Sequence, residues 1–173
     1  MKIYDGKETS DVQAPTPERI KVGIAEYEVT ADGATLTTSG LGSCVGVGLY
    51  DVEEKIGGLV HVMLPVADEL NEGNPAKFAD TGTELLLSEM EAIGSSRENI
   101  EARIAGGSNM LDFSDDGSGI GERNVEQVKR TLEAYDVPVV GEDTGGDYGR
   151  SLSLDGSTGE LVVRSANHED RVL

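Results

Sequence analysis

The 173-residue chain holds one cysteine, Cys44, and two histidines, His61 and His168. A thiol within reach of an imidazole can do nucleophilic chemistry. A free thiol titrates at about 8.5 and is mostly protonated at neutral pH. A neighbouring imidazole can take that proton and leave a thiolate–imidazolium pair able to attack a carbonyl carbon. Cys44 follows Gly42-Ser43, so its backbone N–H can lie open at a glycine-rich corner, the usual kind of donor in an oxyanion hole. A third group should orient the imidazole, and Thr37, Thr38 and Ser43 are the near candidates. His168 lies in the polar run Asn167-His168-Glu169-Asp170 and reads as solvated. The bland alternative is that Cys44 is a small buried hydrophobe, as lone cysteines commonly are, and His61 a polar residue tolerated on a strand. The residues alone leave both readings open.

Two strands must bring the pair together. Residues 44–50 alternate, with Val45, Val47 and Leu49 on one face and Cys44, Gly46, Gly48 and Tyr50 on the other. Residues 59–64 form a second apolar strand ended by Pro65, and 51–55 make a polar turn between them. If that turn centres on Val52-Glu53, Tyr50 opposes Lys55 and Cys44 stands opposite His61. Opposed residues share a face with Cβ atoms about 4.5–5.5 Å apart. A bulge at Gly57-Gly58 would shift this register by one.

The rest of the chain supplies a scaffold. Residues 1–20, with Pro15 and Pro17, read as a flexible N-terminal arm. A strand-like stretch with Val22, Ile24, Tyr27 and Val29 follows, and Asp32-Gly33 signals a hairpin into residues 34–38. One helix, capped by Thr81 or Thr83, carries Leu85, Leu86, Met90 and Ile93 and stops at Gly94. Another starts near Gly121-Glu122 and buries Val125, Val128, Leu132 and Tyr135, with Glu126 and Arg130 paired at i, i+4. Residues 102–105 form a strand between the helices. Residues 137–141, 150–154 and 161–164 form three after them, the last two joined at Asp155-Gly156-Ser157. The order ββββ-α-β-α-βββ is α+β or mixed α/β, a layered arrangement about a central sheet. A single domain over 21–165 is expected, followed by a polar tail, 166–173.

Composition narrows the function classes. The 33 acidic and 14 basic residues give a formal net charge of −19. Such a charge disfavours nucleic acid and anionic lipid surfaces, where cations must replace released counterions. The acids spread along the chain instead of forming a tail, which points to a salt-adapted, halophile-like protein. One cysteine excludes an internal disulfide framework and a multi-thiolate metal site. No His/Asp/Glu cluster has metal spacing, so no metal and no cofactor are expected. Residues 112–123 resemble a calcium loop only in part, with Ser114 and Arg123 at ligand positions. The glycines of 117–121 lack the strand and Lys of a phosphate loop. Apolar stretches such as 59–65 are too short to span a bilayer, and MKIYDGKETSD lacks the apolar run of a signal peptide. A cytoplasmic protein without membrane insertion is expected.

Several blocks together resemble a known family. Gly40-Leu41-Gly42-Ser43-Cys44-Val45 and Gly57-Gly58-Leu59-Val60-His61-Val62-Met63-Leu64-Pro65 are similar to the active-site strands of the chemoreceptor glutamine deamidases, the CheD family. The likeness continues through Lys77-Phe78-Ala79-Asp80-Thr81, Gly106-Gly107-Ser108-Asn109-Met110, Ile120-Gly121-Glu122-Arg123-Asn124 and Glu142-Asp143-Thr144-Gly145-Gly146-Asp147-Tyr148-Gly149-Arg150. The joint order of the blocks is specific, where any one alone would be weak. Ser39 departs from the larger apolar residue of that pattern. The resemblance implies an α/β layered sandwich and a Cys-His-Thr set in which Cys44 is the nucleophile, His61 the base and Thr38 the residue that orients it. It implies hydrolysis of receptor glutamine side chains to glutamate, with Ser43 and Cys44 N–H groups holding the oxyanion. It also implies two partners, methyl-accepting chemotaxis receptors as substrate and a CheC-type phosphatase. The competing readings are a non-catalytic module that binds the phosphatase or receptor, and an amidase acting on small amides.

Overall fold

The computed structural model describes residues 18–67, 73–109 and 119–173. In chain order the elements are β1 (Arg19–Lys21), β2 (Tyr27–Thr30), β3 (Thr35–Leu41), β4 (Val45–Asp51), β5 (Ile56–Val62), α1 (Ala79–Ala92), β6 (Ile100–Gly106), α2 (Ile120–Ala134), β7 (Val139–Thr144), β8 (Arg150–Asp155), β9 (Leu161–Arg164) and β10 (Arg171–Val172). They make two mixed five-stranded sheets. Sheet A has the order β10-β9-β8-β3-β1, and sheet B the order β2-β5-β4-β6-β7. This is the expected α+β layered fold.

Alternation along β4 builds the layers. Val45, Val47 and Leu49 are fully buried in a cluster with Leu86, Leu87 and Met90 of α1 and Val128 and Leu132 of α2. Gly46 and Gly48 face the other way, toward Leu152 and Leu154 of sheet A. A side chain at Gly46 would overlap Leu152, so the missing Cβ lets the sheets close. Leu36, Leu41, Leu59, Ala105, Leu152, Leu154 and Leu161 fill the second core between them. Each buried leucine contributes on the order of 1.5–3 kcal/mol.

Several local expectations change. Asp32-Gly33 does not close a hairpin: β2 pairs antiparallel with β5 in sheet B, whereas β3 joins sheet A beside β8 and β1. The turn carries the chain from one sheet to the other. Helix α1 begins at Ala79, before both threonines, with no side-chain cap at Phe78. Thr81 Oγ1 instead donates to Pro75 O at 2.7 Å, and Thr83 is buried. Gly94, at φ 121°, ends it as expected. Arg130 and Glu126 do pair on α2, at 3.5 Å. The arm expected over 1–20 lies outside the described residues except for its end, where Arg19–Lys21 pairs parallel with Thr35–Thr37. The tail expected over 166–173 ends as β10 on β9, with Leu173 N donating to Leu161 O at 2.8 Å.

The β4–β5 hairpin is closed by a four-residue turn. Asp51 opposes Ile56 and Gly46 opposes His61. Asp51 Oδ1 accepts from Glu53 N and Glu54 N at 2.9 Å each, and Lys55 takes φ 56°. The carboxylate therefore centres the turn on Glu53-Glu54, one residue beyond Val52-Glu53, and the register slips by two residues. Because faces alternate with a period of two, a two-residue slip leaves every side chain on its expected face.

Candidate functional site

Thr38, Cys44 and His61 come from both sheets and the link between them. Thr38 lies on β3 in sheet A, and a bulge follows it, since the β3–β8 register shifts between Thr38 and Leu41. Gly40, at φ 75°, takes the left-handed conformation there at no steric cost. Cys44 ends the crossover from β3 to β4, partly buried against the inter-sheet core. His61 lies on β5, opposite Gly46 and so on the inter-sheet face. Its backbone is held on the far side too, with His61 N donating to Glu26 O at 3.1 Å and Ala25 N to His61 O at 2.9 Å.

The hydrogen bonds fix the imidazole tautomer. Thr38 Oγ1 donates to Val22 O at 2.7 Å and lies 2.8 Å from His61 Nδ1. A hydroxyl has one hydrogen, and the carbonyl takes it. His61 Nδ1 must therefore carry its own hydrogen and donate to Thr38, which leaves Nε2 with a bare lone pair. That atom is buried and has no partner. Of the three candidate orienting groups, Thr38 is the one that meets the ring. Thr37 O accepts from Val22 N at 2.7 Å, and Ser43 O accepts from Asn124 Nδ2.

Burial sets the charge state. His61 is fully buried, and desolvation pulls its pKa from 6.5 down to about 4. Desolvation also pushes the Cys44 thiol up, partly offset by its own backbone N–H. Burial thus disfavours the charged form of each group and works against the thiolate–imidazolium pair that their types allow. Thr38 and His61 are joined directly, whereas His61 Nε2 makes no hydrogen bond to the Cys44 sulfur. Such a site suits attack in which the proton leaves sulfur as the new bond forms.

A floor of close backbone contacts holds Cys44. Gly107 N donates to Cys44 O at 2.8 Å and Ser108 N to Gly42 O at 2.9 Å. Gly106 at φ 116° and Gly107 at φ 67° leave no room for a Cβ against Cys44 O and Gly121 O. Behind this turn, Arg150 pairs with Asp143 at 3.0 Å, both nearly buried, and Gly145 N donates to Gly106 O at 3.0 Å. Asn124, a residue with no role in the sequence reading, donates from Nδ2 to Ser43 O and Met63 O, each at 2.9 Å. Its place in Ile120-Gly121-Glu122-Arg123-Asn124 was its one signal. His168 is exposed but stacks on Tyr148, ring centroids 4.1 Å apart. Among the described residues no group of three or more His, Cys, Asp or Glu side chains is placed to hold a metal ion. No helix there is long and apolar enough to cross a membrane.

Comparison with known proteins follows this geometry. A family model described as "CheD chemotactic sensory transduction" matches residues 63–165. A protein of Haloarcula marismortui named "Probable chemoreceptor glutamine deamidase CheD" is 57% identical over 173 residues, 100% of both chains. One of the same name from Natronomonas pharaonis is 41% identical over 162 residues, 93% of this chain and 96% of its own. The "Chemoreceptor glutamine deamidase CheD" of Halalkalibacterium halodurans is 42% identical over 156 residues, 88% of this chain and 96% of its own. Among solved structures, that of the Bacillus licheniformis hypothetical protein YfiH aligns with a TM-score of 0.46 at 14% identity, over 68% of this chain and 49% of that one.

Proposed function

The chain belongs to the CheD family, and from that premise we propose that it hydrolyses glutamine side chains of methyl-accepting chemotaxis receptors to glutamate. The observation that carries the reading is the bare, buried Nε2 of His61, held in its tautomer by Thr38 on the face that Cys44 shares. The relatives' names supply the substrate class.

Cys44 Sγ attacks the carboxamide carbon as His61 Nε2 takes the thiol proton. Carbonyl π electrons move to oxygen, and the Ser43 and Cys44 N–H groups hold that oxyanion. The tetrahedral species collapses with His61 returning the proton to the departing nitrogen, so ammonia leaves and a thioester remains. Water, deprotonated by the same Nε2, attacks the thioester. The sulfur leaves with the proton, and a glutamate side chain is released. Thr38 keeps Nδ1 protonated throughout and the ring aligned. No step needs a cofactor. On this reading the protein acts in the cytoplasm, where the receptor's rod lies, with a CheC-type phosphatase as a proposed second partner.

A receptor cytoplasmic fragment incubated with the protein in strong salt tests this by peptide mass spectrometry. Glutamine-to-glutamate conversion is expected with the wild type and is abolished by Cys44→Ala. Conversion at the wild-type rate by that variant would overturn the mechanism.

A further inference from the structure

The two peptide units leading into Cys44 are gripped by their carbonyls. Gly42 O accepts from Ser108 N and Ser43 O from Asn124 Nδ2, both at 2.9 Å. Asn124 is fully buried, and the same nitrogen donates to Met63 O, two residues beyond His61. Its Oδ1 has no partner. Turning the amide over would set that oxygen against two carbonyl oxygens, so its orientation is fixed. The described peptide bonds are all trans, and in a trans unit C=O and N–H point in opposite directions. Ser108 and Asn124 lie on one side of the corner, because Gly121 at the start of α2 closes directly on Gly107 O and Ser108 O. Pulling both carbonyls to that side turns the Ser43 and Cys44 N–H groups to the other. Among the described residues neither N–H has a hydrogen-bond partner in another residue. The Cys44 N–H also steadies its own sulfur, which places it on the nucleophile's side.

We propose that Asn124 is a positioning residue, which aims the Ser43 and Cys44 N–H groups at the reacting oxygen and ties that corner to the end of the His61 strand. This rests on Cys44 being the nucleophile, and it adds a residue outside the Cys-His-Thr set. Asn124 touches no substrate. It acts through the peptide units it holds.

Two probes of the one thiol separate this role from a merely structural one. Attack on p-nitrophenyl acetate forms a sulfur–carbon bond, drives charge onto the ester oxygen and expels p-nitrophenolate, so it needs the N–H donors. Alkylation by iodoacetamide displaces iodide at a saturated carbon and needs none. Asn124→Ala is expected to slow acylation of Cys44, and receptor deamidation, by about 10²–10³-fold, with alkylation at the same pH within about threefold of wild type. Equal falls in acylation and alkylation, or unchanged acylation, would overturn the proposal. Should this variant fail to fold, the wild type decides with butanal and amide NMR. The aldehyde adds to the thiol, sulfur bonding to carbon and the proton ending on the new hydroxyl. The Ser43 and Cys44 amide protons are expected to move downfield together, and a formed adduct that leaves both unmoved would overturn the proposal. A wild type that acylates with this dependence yet leaves receptor fragments unchanged would instead sink the receptor reading and spare the role of Asn124.

Discussion

His61 is a fully buried imidazole with one nitrogen satisfied and the other bare. Burying a polar atom without a partner costs on the order of 1–3 kcal/mol, and nothing in the packing of β5 requires it. Its charge behaviour follows from the same burial. With a folded pKa of about 4 against 6.5, the unfolded chain binds the extra proton between those values. Stability is therefore fully present above pH 6.5 and declines as pH falls toward 4, by about 3 kcal/mol in all. As the proposed base, His61 must be neutral to act, so the acid limb of kcat/KM for deamidation is expected at about pH 4–5, well below an ordinary histidine. Initial rates from pH 4 to 8 in strong salt, over a range where circular dichroism shows folded protein, check this. A limb centred near 6.5 would mean that the imidazole is far better solvated than its packing indicates.

At the scale of elements, the loop beneath Cys44 is supported from behind by β7 and β8. Arg150 is nearly buried, pairs with Asp143, stacks 4.3 Å over Tyr148 and donates to Gly106 O at 3.4 Å. Removing one partner of a buried ion pair costs about 3–5 kcal/mol, because the other charge is left desolvated. Asp143 keeps Arg171 at 3.4 Å as a second partner, so Arg150→Met is expected to lose less than that in denaturant unfolding, and adding Asp143→Asn should restore part of it. Purely additive losses would show that the two side chains stabilise their strands independently. This coupling was not legible in the sequence, where Arg150 opened the strand 150–154, Asp143 had no element assigned to it, and the two shared only a block of the family resemblance. The helices and the β8–β9 hairpin were legible, because apolar spacing and the Asp155 turn mark them locally. Sheet membership was not. Asp32-Gly33 signals a turn, but whether the chain then pairs back or crosses to another sheet depends on partners far along the chain. The shared face of Cys44 and His61 was readable from alternation alone and survived a turn centre misplaced by one residue, because the resulting slip was an even number of residues.

The whole molecule places Thr38, Cys44 and His61 at the seam between two sheets, so the proposed site exists only while the inter-sheet core is closed. That core is aliphatic, from Leu36 to Leu161, and the surface around it carries the burden of a −19 charge. The ion pairs of the described residues relieve little of it. Most are exposed, such as Arg130–Glu126 and Arg164–Asp170, and exposed pairs contribute about 0–1 kcal/mol. Like-charge repulsion then opposes folding wherever it is unscreened. The screening length shrinks from roughly 30 Å at 0.01 M salt to roughly 3 Å at 1 M. Screening therefore predicts a steep rise in Tm with potassium chloride below about 0.5 M that flattens beyond it. A rise that stays linear to several molar would point instead to salt strengthening the burial of the aliphatic core. A Tm equal at 0.01 M and 1 M would overturn the salt-adapted reading of the acids. Because Thr38 and His61 sit on opposite sheets, deamidase activity should be lost on dilution no later than the inter-sheet packing, when both are followed across the same titration.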